Sequence, residues 1–470
     1  MAGLVNALNS ARTSLEVNQK SIEVIGNNIS NLNTEGYSRQ STTLTPYPAM
    51  NFGDFFIGQG VKVTDVQRDH DVFVTNQLQS KSVAFGLYNG QSRALTELER
   101  VFNVTEENIA TEVDRFFDSW QELSASPSDL VLRDIVIQRG ELLSTKFNNT
   151  VNDLNTVQEN INDSIVSKVD DVNSKIREIA DLNERVFNIE IHGQTANSAR
   201  DRRDQLAKEL AGSVGAQTYE DAKGMLAVQL PGGMPLVQGN QAMSIEAVTV
   251  SGNLELQLHA GGVTRTLGQQ NLGGEFEGLV NMRDTFIPEL KDDLDKLAYE
   301  ISTQVNAQHR AGAGLDSVTN RDFFVEPLVV LDAARNMSVN SLLDSSQVAA
   351  AQAPPAPGPP AEVISTGDNR NALIISSIGE TYLIGGIDNF DSYYGKMTSR
   401  VGVESNQNQL SLQGAEDAVV QLQNMRDGLA GVSLEEEMID LIVYQRGFES
   451  SAKFLSTIDE MMNSLINMRN

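Results

Sequence analysis

The chain's four histidines are His70, His192, His259 and His309. No two stand close enough in sequence for a local metal pair, and the His-Glu-x-x-His pattern of a zinc hydrolase does not occur. Each reads as a polar surface residue. The acidic groups Asp292-Asp293 with Asp295, and Glu435-Glu436-Glu437, lack the ligand spacing of a calcium loop. They read as solvated helix faces. The glycines after His259 and His309 fit neither a dinucleotide fingerprint nor a phosphate loop, so both read as turns. Cysteine is absent, which removes disulfides, thiolate ligands and cysteine nucleophiles together. Trp120, in an amphipathic stretch with Phe116, Phe117 and Leu123, reads as core. The expectation is therefore no catalytic, cofactor-binding or metal-ligating residues, no cofactor, and no enzyme. Because carboxylates are abundant, a hydrolase using an Asp/Glu pair stands as the alternative from another class.

The 470 residues leave room for roughly two to four domains. A net charge of −28 argues against nucleic acid as a partner, since polyphosphate attracts clustered Lys and Arg. It suits a protein kept soluble at high concentration. No continuous apolar region follows a basic start in residues 1–20, so no Sec-type signal is expected there. No window approaches the ~20 apolar residues of a membrane span. Zero cysteine fits passage through a narrow channel as an unfolded chain, and equally an ordinary bacterial protein.

The elements come next. Leu4, Leu8, Ala11, Leu15, Asn18, Ile22, Ile25, Ile29 and Leu32 alternate at spacings of four and three. That is a heptad seam, with Asn18 placed to fix register against a partner helix. At the other end Met438, Leu441, Phe448, Ala452, Leu455, Ile458, Met462 and Leu465 form a matching stripe. Ser433 followed by three glutamates predicts its start, a capping hydroxyl and then negative charge on the positive helix end. Ordering each residue costs on the order of 1–2 kcal/mol. A fully buried Leu or Ile returns only ~1.5–3 kcal/mol. Both ends are therefore expected to be mobile in the monomer and to order when neighbouring subunits bury their seams.

Between helix and body stand Asn27, Asn28, Asn31, Gly36, Tyr37, Arg39 and Gln40. Asn, Ser and Gly stop helices, and Gly36 can take positive φ, so a helix end and then an extended segment are expected. This stretch resembles the signature that follows the first helix of bacterial flagellar rod, hook and hook-associated proteins. The family often has Pro where this chain has Glu35, which relaxes the turn but keeps Gly36-Tyr37. Tyr37-Ser38-Arg39-Gln40, and Tyr444-Gln445-Arg446-Gly447-Phe448 near the other end, are similar to the hook-associated members. So are three interior blocks, Arg202-Arg203-Asp204-Gln205-Leu206, Asn306-Ala307-Gln308-His309 and Gly367-Asp368-Asn369-Arg370-Asn371.

The resemblance implies a structural subunit at the hook–filament junction of the flagellum, exported through the flagellar type III channel. Implied partners are copies of itself, hook protein, the second hook-associated junction protein and an export chaperone at the C-terminal helix, with no nucleic acid and no membrane. The alternative within the family is another axial protein: hook, distal rod or second junction protein.

In the body, helices are expected over 155–190, 199–211, 288–309 and 393–425. Alternation between 218 and 268, broken by Pro231-Gly232-Gly233 and Ser251-Gly252-Asn253, predicts strands joined by tight turns. The expected fold is mainly α with an inserted β-rich domain. It is an elongated helical bundle with terminal coiled-coil helices. The expected divisions are a terminal domain (1–60 with 430–470), a helical bundle (61–217, 269–335 and 368–429), the β-rich insert (218–268) and a linker (336–367). Five of the 12 prolines fall in 349–361, which marks that stretch as extended.

Overall fold

The structure is a computed structural model and describes residues 2–51, 55–102, 108–353 and 365–468. Its helices are α1 (Ala2–Ser30), α2 (Val72–Val101), α3 (Ile109–Ala125), α4 (Leu130–Glu190), α5 (Asn197–Val214), α6 (Gly274–Asn281), α7 (Ile287–Ala311), α8 (Ala333–Asn336), α9 (Arg370–Ile378), α10 (Phe390–Ala430) and α11 (Leu434–Asn467). The fold is mainly helical, with long helices at both ends and small sheets inside the chain. Two compact units divide it, residues 1–87, 168–276 and 413–470 in the first and 88–167 and 277–412 in the second.

In the first unit, the chain leaving α1 forms an antiparallel pair, β1 (Gln40–Pro46) and β4 (Val61–Arg68). Beyond it lies a short ladder, β2 (Met50–Asn51) with β3 (Phe56–Ile57). The alternating run after α5 makes two meanders. One orders β5 (Gln217–Glu220), β6 (Leu226–Gln229), β7 (Pro235–Gln238) and β8 (Gln241–Ala242); the other places β10 (Asn253–Ala260) between β9 (Ser244–Val250) and β11 (Val263–Leu267). Both predicted turns occur, with Gly232, Gly233 and Gly252 at positive φ.

Two asparagines of α4 hold these sheets. The Asn183 amide donates to the Leu226 and Gly239 carbonyls over 2.9 and 2.7 Å and accepts from Leu226 N–H. Asn173 exchanges both bonds with the Ile245 backbone at 2.7 and 2.8 Å. Each side chain acts as a piece of strand edge, satisfying buried backbone that a helix face cannot otherwise pair. Gly86 of α2 meets α5 so closely that a Cβ there would lie 1.9 Å from the Gly212 carbonyl oxygen.

The second unit has an aromatic core. Phe116 and Trp120 of α3 pack edge-on or tilted against Phe323, with Phe324 and His309 beside them. Trp120 is core, as its amphipathic stretch predicts. Asn306 of α7 accepts from the Phe323 and Phe324 N–H groups at 3.0 and 2.9 Å and donates to the Phe324 carbonyl at 3.0 Å. A π-helical segment, Met282–Phe286, joins α6 to α7.

Several expectations are corrected. The helix expected over 155–190 begins at Leu130, because Asp129 caps its first turn, accepting from Val131 N–H. The helix before the sheets ends at Gly215 in the left-handed region, and Gly212 is a packing glycine inside it. The β-rich residues share a unit with the terminal helices, since α4 and α5 pin them there. Residues 336–353 are packed chain where a linker was expected. Met337, Val348 and Ala349–Ala351 are buried, and β13 (Ala351–Gln352) pairs with β12 (Gly312–Ala313). The Pro-rich stretch 354–361 lies outside the described residues. His309 is fully buried where a surface residue was expected. Its Nδ1–H donates to the Arg321 carbonyl at 2.7 Å, and its Nε2 accepts from Ala349 N–H at 3.0 Å. Burial holds its pKa down at about 4.

Candidate assembly interface

Helices α1 and α11 pack against each other in opposite directions, Ser14 meeting Ser451 and Asn28 meeting Glu437. Their closest approach is made by small and polar residues, while Ala11 and Ile25 of α1 and Ile458 of α11 are buried. The Ser14 and Ser451 hydroxyls lie 2.8 Å apart. A Cβ added at Gly447 would sit 2.6 Å from Asn18 Oδ1. Asn18 itself donates to the Ser14 carbonyl at 2.8 Å, so its side chain is held flat beneath the glycine.

The outward faces have the opposite character. Val5 on α1, and Met438, Ile439, Ile442, Val443, Phe454, Met461, Leu465 and Ile466 on α11, are all exposed, Ile439 at 62% and Val443 at 58%. A hairpin that stands alone buries its large apolar residues and exposes its small polar ones. This pair does the reverse over much of α11, and contiguous apolar exposure of that kind marks an interaction surface.

A polar latch fixes the pair to the body of the first unit. Asn28 is 1% exposed and reads both sides of its surroundings. Its amide donates to the Gln40 carbonyl at 2.9 Å and Glu437 Oε2 at 3.0 Å; its oxygen accepts from Gln40 N–H at 3.0 Å and the Tyr37 hydroxyl at 2.9 Å. Arg39 spans three carboxylates of α11, at 2.7 Å to Glu437, 2.9 Å to Glu436 and 3.2 Å to Asp440. Its N–H donates to the Ala430 carbonyl at the end of α10. Asp201 of α5 accepts from Ser38 N–H and pairs with Arg68 at 2.7 Å, and Arg68 also pairs with Asp204. Arg426 of α10 donates to the Gly36 carbonyl at 2.7 Å, where Gly36 has φ +81°. Burial, then the charges of Asp201 and Glu437, push the Tyr37 phenol up to about 12, so it stays a donor.

The predicted site residues therefore divide. Ala11, Ile25 and Ile458 are buried. Leu4, Leu8, Leu15, Asn18, Ile22, Ile29, Leu441, Phe448, Ala452, Leu455 and Met462 are half-buried. Leu32, Met438 and Leu465 are exposed. In the motif Asn28 and Gln40 are buried, Asn31, Gly36, Tyr37 and Arg39 half-buried and Asn27 exposed. Ser14, Glu437, Gly447 and Ser451, which make the seam, fall outside an apolar-period search. The signal that could have found them is a glycine and a serine four apart inside a long helix, where close approach needs small side chains. Asn6, Thr13, Val17 and Ser21 form a second buried face of α1, and Ser21 shares a hydrogen bond with Thr42 of β1. Polar residues hid that face from periodicity.

Three family models match the chain. Residues 8–37 match the flagella basal body rod protein model, and 429–468 the C-terminal model of flagellar basal body rod FlgEFG proteins. Residues 95–324 match the flagellar hook-associated protein FlgK helical domain, which separates this chain from rod and hook. The chain belongs to the flagellar hook-associated protein 1 family. Flagellar hook-associated protein 1 of Escherichia coli K12 is 24% identical over 553 residues, covering 98% of this chain and 99% of the relative. The Bacillus subtilis 168 relative of that name is 24% identical over 528 residues, covering 99% of each. Both alignments are longer than the chain, so these relatives carry residues it lacks. A solved structure titled the flagellar hook junction protein FlgK from Burkholderia pseudomallei shares the fold, with a TM-score of 0.67 and 15% identity over 76% of this chain and 100% of that one. Flagellar hook-associated protein 1 is a structural family of the bacterial flagellum, and this chain is one of its structural subunits. Each interior block that carried the resemblance contains a buried polar residue: Arg203, Asn306 with His309, and Asn371.

Proposed function

We propose that this chain builds the hook–filament junction by burying the outward apolar faces of α1 and α11 against neighbouring copies. The carrying observation is the polarity of α11, whose buried residues are Glu437, Ser451 and Ile458 while Ile439, Val443, Phe454 and Met461 are exposed. Each such side chain gains up to ~1.5–3 kcal/mol on full burial, so a ring of neighbours supplies what the isolated pair lacks. Leu4 to Leu32 and Met438 to Leu465 are the assembly surface. The latch at Asn28, Arg39 and Glu437 sets the angle at which that surface is presented.

In this reading the neighbours along the axis are hook protein and the second hook-associated junction protein. The chain reaches them after type III export, with a chaperone holding residues 434–470 until then. Deleting the gene should give cells with hooks but no filaments, with filament subunits lost to the medium. Immunogold label should form one band at the hook tip; label along the whole hook would overturn the assignment. Undiminished chaperone affinity after removal of residues 434–470 would place that site elsewhere.

A further inference from the structure

The chain has 13 methionines and no cysteine, so thioethers are its only sulfur and its most readily oxidised side chains. Burial sorts them. Met282, Met337 and Met397 lie in the core, at most 4% exposed. On α11 Met461 is 45% exposed, and Met468, just past the helix end, is 83% exposed. Met461 stands seven residues after Phe454 and seven before Met468, with Leu465 between. Steps of seven and four return to one side of a helix, so these four share a stripe. All four are exposed.

Hydrogen peroxide delivers one oxygen atom to a thioether. Its O–O bond breaks, an S–O bond forms, the sulfur is oxidised by two electrons and the peroxide leaves as water. The sulfoxide is polar and accepts hydrogen bonds, so burying it against an apolar neighbour leaves it without a partner. An apolar stripe that must be covered thereby becomes one that resists covering.

We infer that Met461 and Met468 are a modification site for peroxide, where sulfoxide formation on the free subunit blocks its entry into the assembly. The inference rests on the proposed burial of the α11 face against another copy. A neighbour seated on the stripe shields both sulfurs, so only the unassembled chain is open to the reaction. A sulfoxide-reducing enzyme restores the thioethers, and the surface with them.

The test adds purified full-length chain to cells lacking the gene and counts filaments by electron microscopy. One portion is treated with hydrogen peroxide and quenched. Peptide mass mapping should find sulfoxide at Met461 and Met468, with Met282, Met337 and Met397 spared. The treated chain should restore filaments on the order of tenfold less often than the untreated chain. Met461→Leu with Met468→Leu conserves volume and should keep most of its filament yield after the same treatment. Met461→Gln with Met468→Gln, which is polar from the start, should fail without peroxide. Equal counts from treated and untreated wild type, or an equal loss in the leucine pair, would overturn the site. Peroxide footprinting of the assembled chain separates this site from the reading it rests on. Sulfoxide forming at Met461 as fast as in the free chain would sink the burial of α11. Protection there, with normal incorporation of the oxidised chain, would sink the modification site alone.

Discussion

Arg39 Nε donates to Glu437 Oε1 across 2.7 Å, and that carboxylate is 1% exposed, with Asn28 filling its other oxygen at 3.0 Å. The pair joins the motif after the first helix to the first turn of the last. A buried carboxylate stripped of its cation is costly, so Arg39→Ala should destabilise the docking of α11 by about 3–5 kcal/mol. Hydrogen exchange should show lost protection over 434–467 with the second unit unchanged. Replacing both partners, Arg39→Met with Glu437→Leu, should restore much of the protection. Identical exchange in Arg39→Ala and wild type would remove the latch from the account.

The seam and the outward face should separate in mutants. Gly447→Leu drives a side chain into Asn18 and should weaken the packing of α1 on α11 by about 1–3 kcal/mol. Phe454→Ser lies on the exposed face, at 48% exposure, and should leave monomer unfolding within ~0.5 kcal/mol of wild type while abolishing assembly. Electron microscopy and motility assays read the second effect. Normal motility in Phe454→Ser would remove that residue from the interface.

His309 makes the second unit acid-sensitive. Its folded pKa, about 4, lies below the ordinary 6.5. The stability it contributes is therefore complete above pH 6.5 and is lost as pH falls toward 4. By pH 5, above the carboxylate range, the loss should reach about 2 kcal/mol. The physical cause is burial, and protonated Nε2 would in addition face the Ala349 N–H, donor against donor. Urea unfolding at pH 7 and 5 gives the magnitude. A His309 ring resonance that titrates near 6.5 would contradict it.

Asn306 holds Phe323 and Phe324 by three backbone hydrogen bonds. Asn306→Leu keeps the volume but leaves those groups unpaired, at about 1–3 kcal/mol for each buried group left without a partner. The expected result is a loss of at least ~3 kcal/mol, together with a shifted Trp120 emission, since Phe323 packs on that indole. Wild-type emission and stability would count against the clamp.

The sequence by itself determined the two terminal helices, the turns at Gly232 and Gly252, the cap at Ser433, and the family. These are local: periodicity, positive φ and a hydroxyl before three glutamates act within a few residues. It also pointed to the two ends as the proposed assembly surface. Tertiary structure decided which faces meet. The closest approach of α1 and α11 is at Ser14, Asn18, Gly447 and Ser451, since close approach needs small side chains, and these interrupt the apolar stripes whose Ala11, Ile25 and Ile458 are buried. Tertiary structure likewise turned Asn28, Asn183, Asn306 and His309 from ordinary polar residues into clamps. A side chain's hydrogen-bond partner lies tens or hundreds of residues away, and only folding brings it within 3 Å or so.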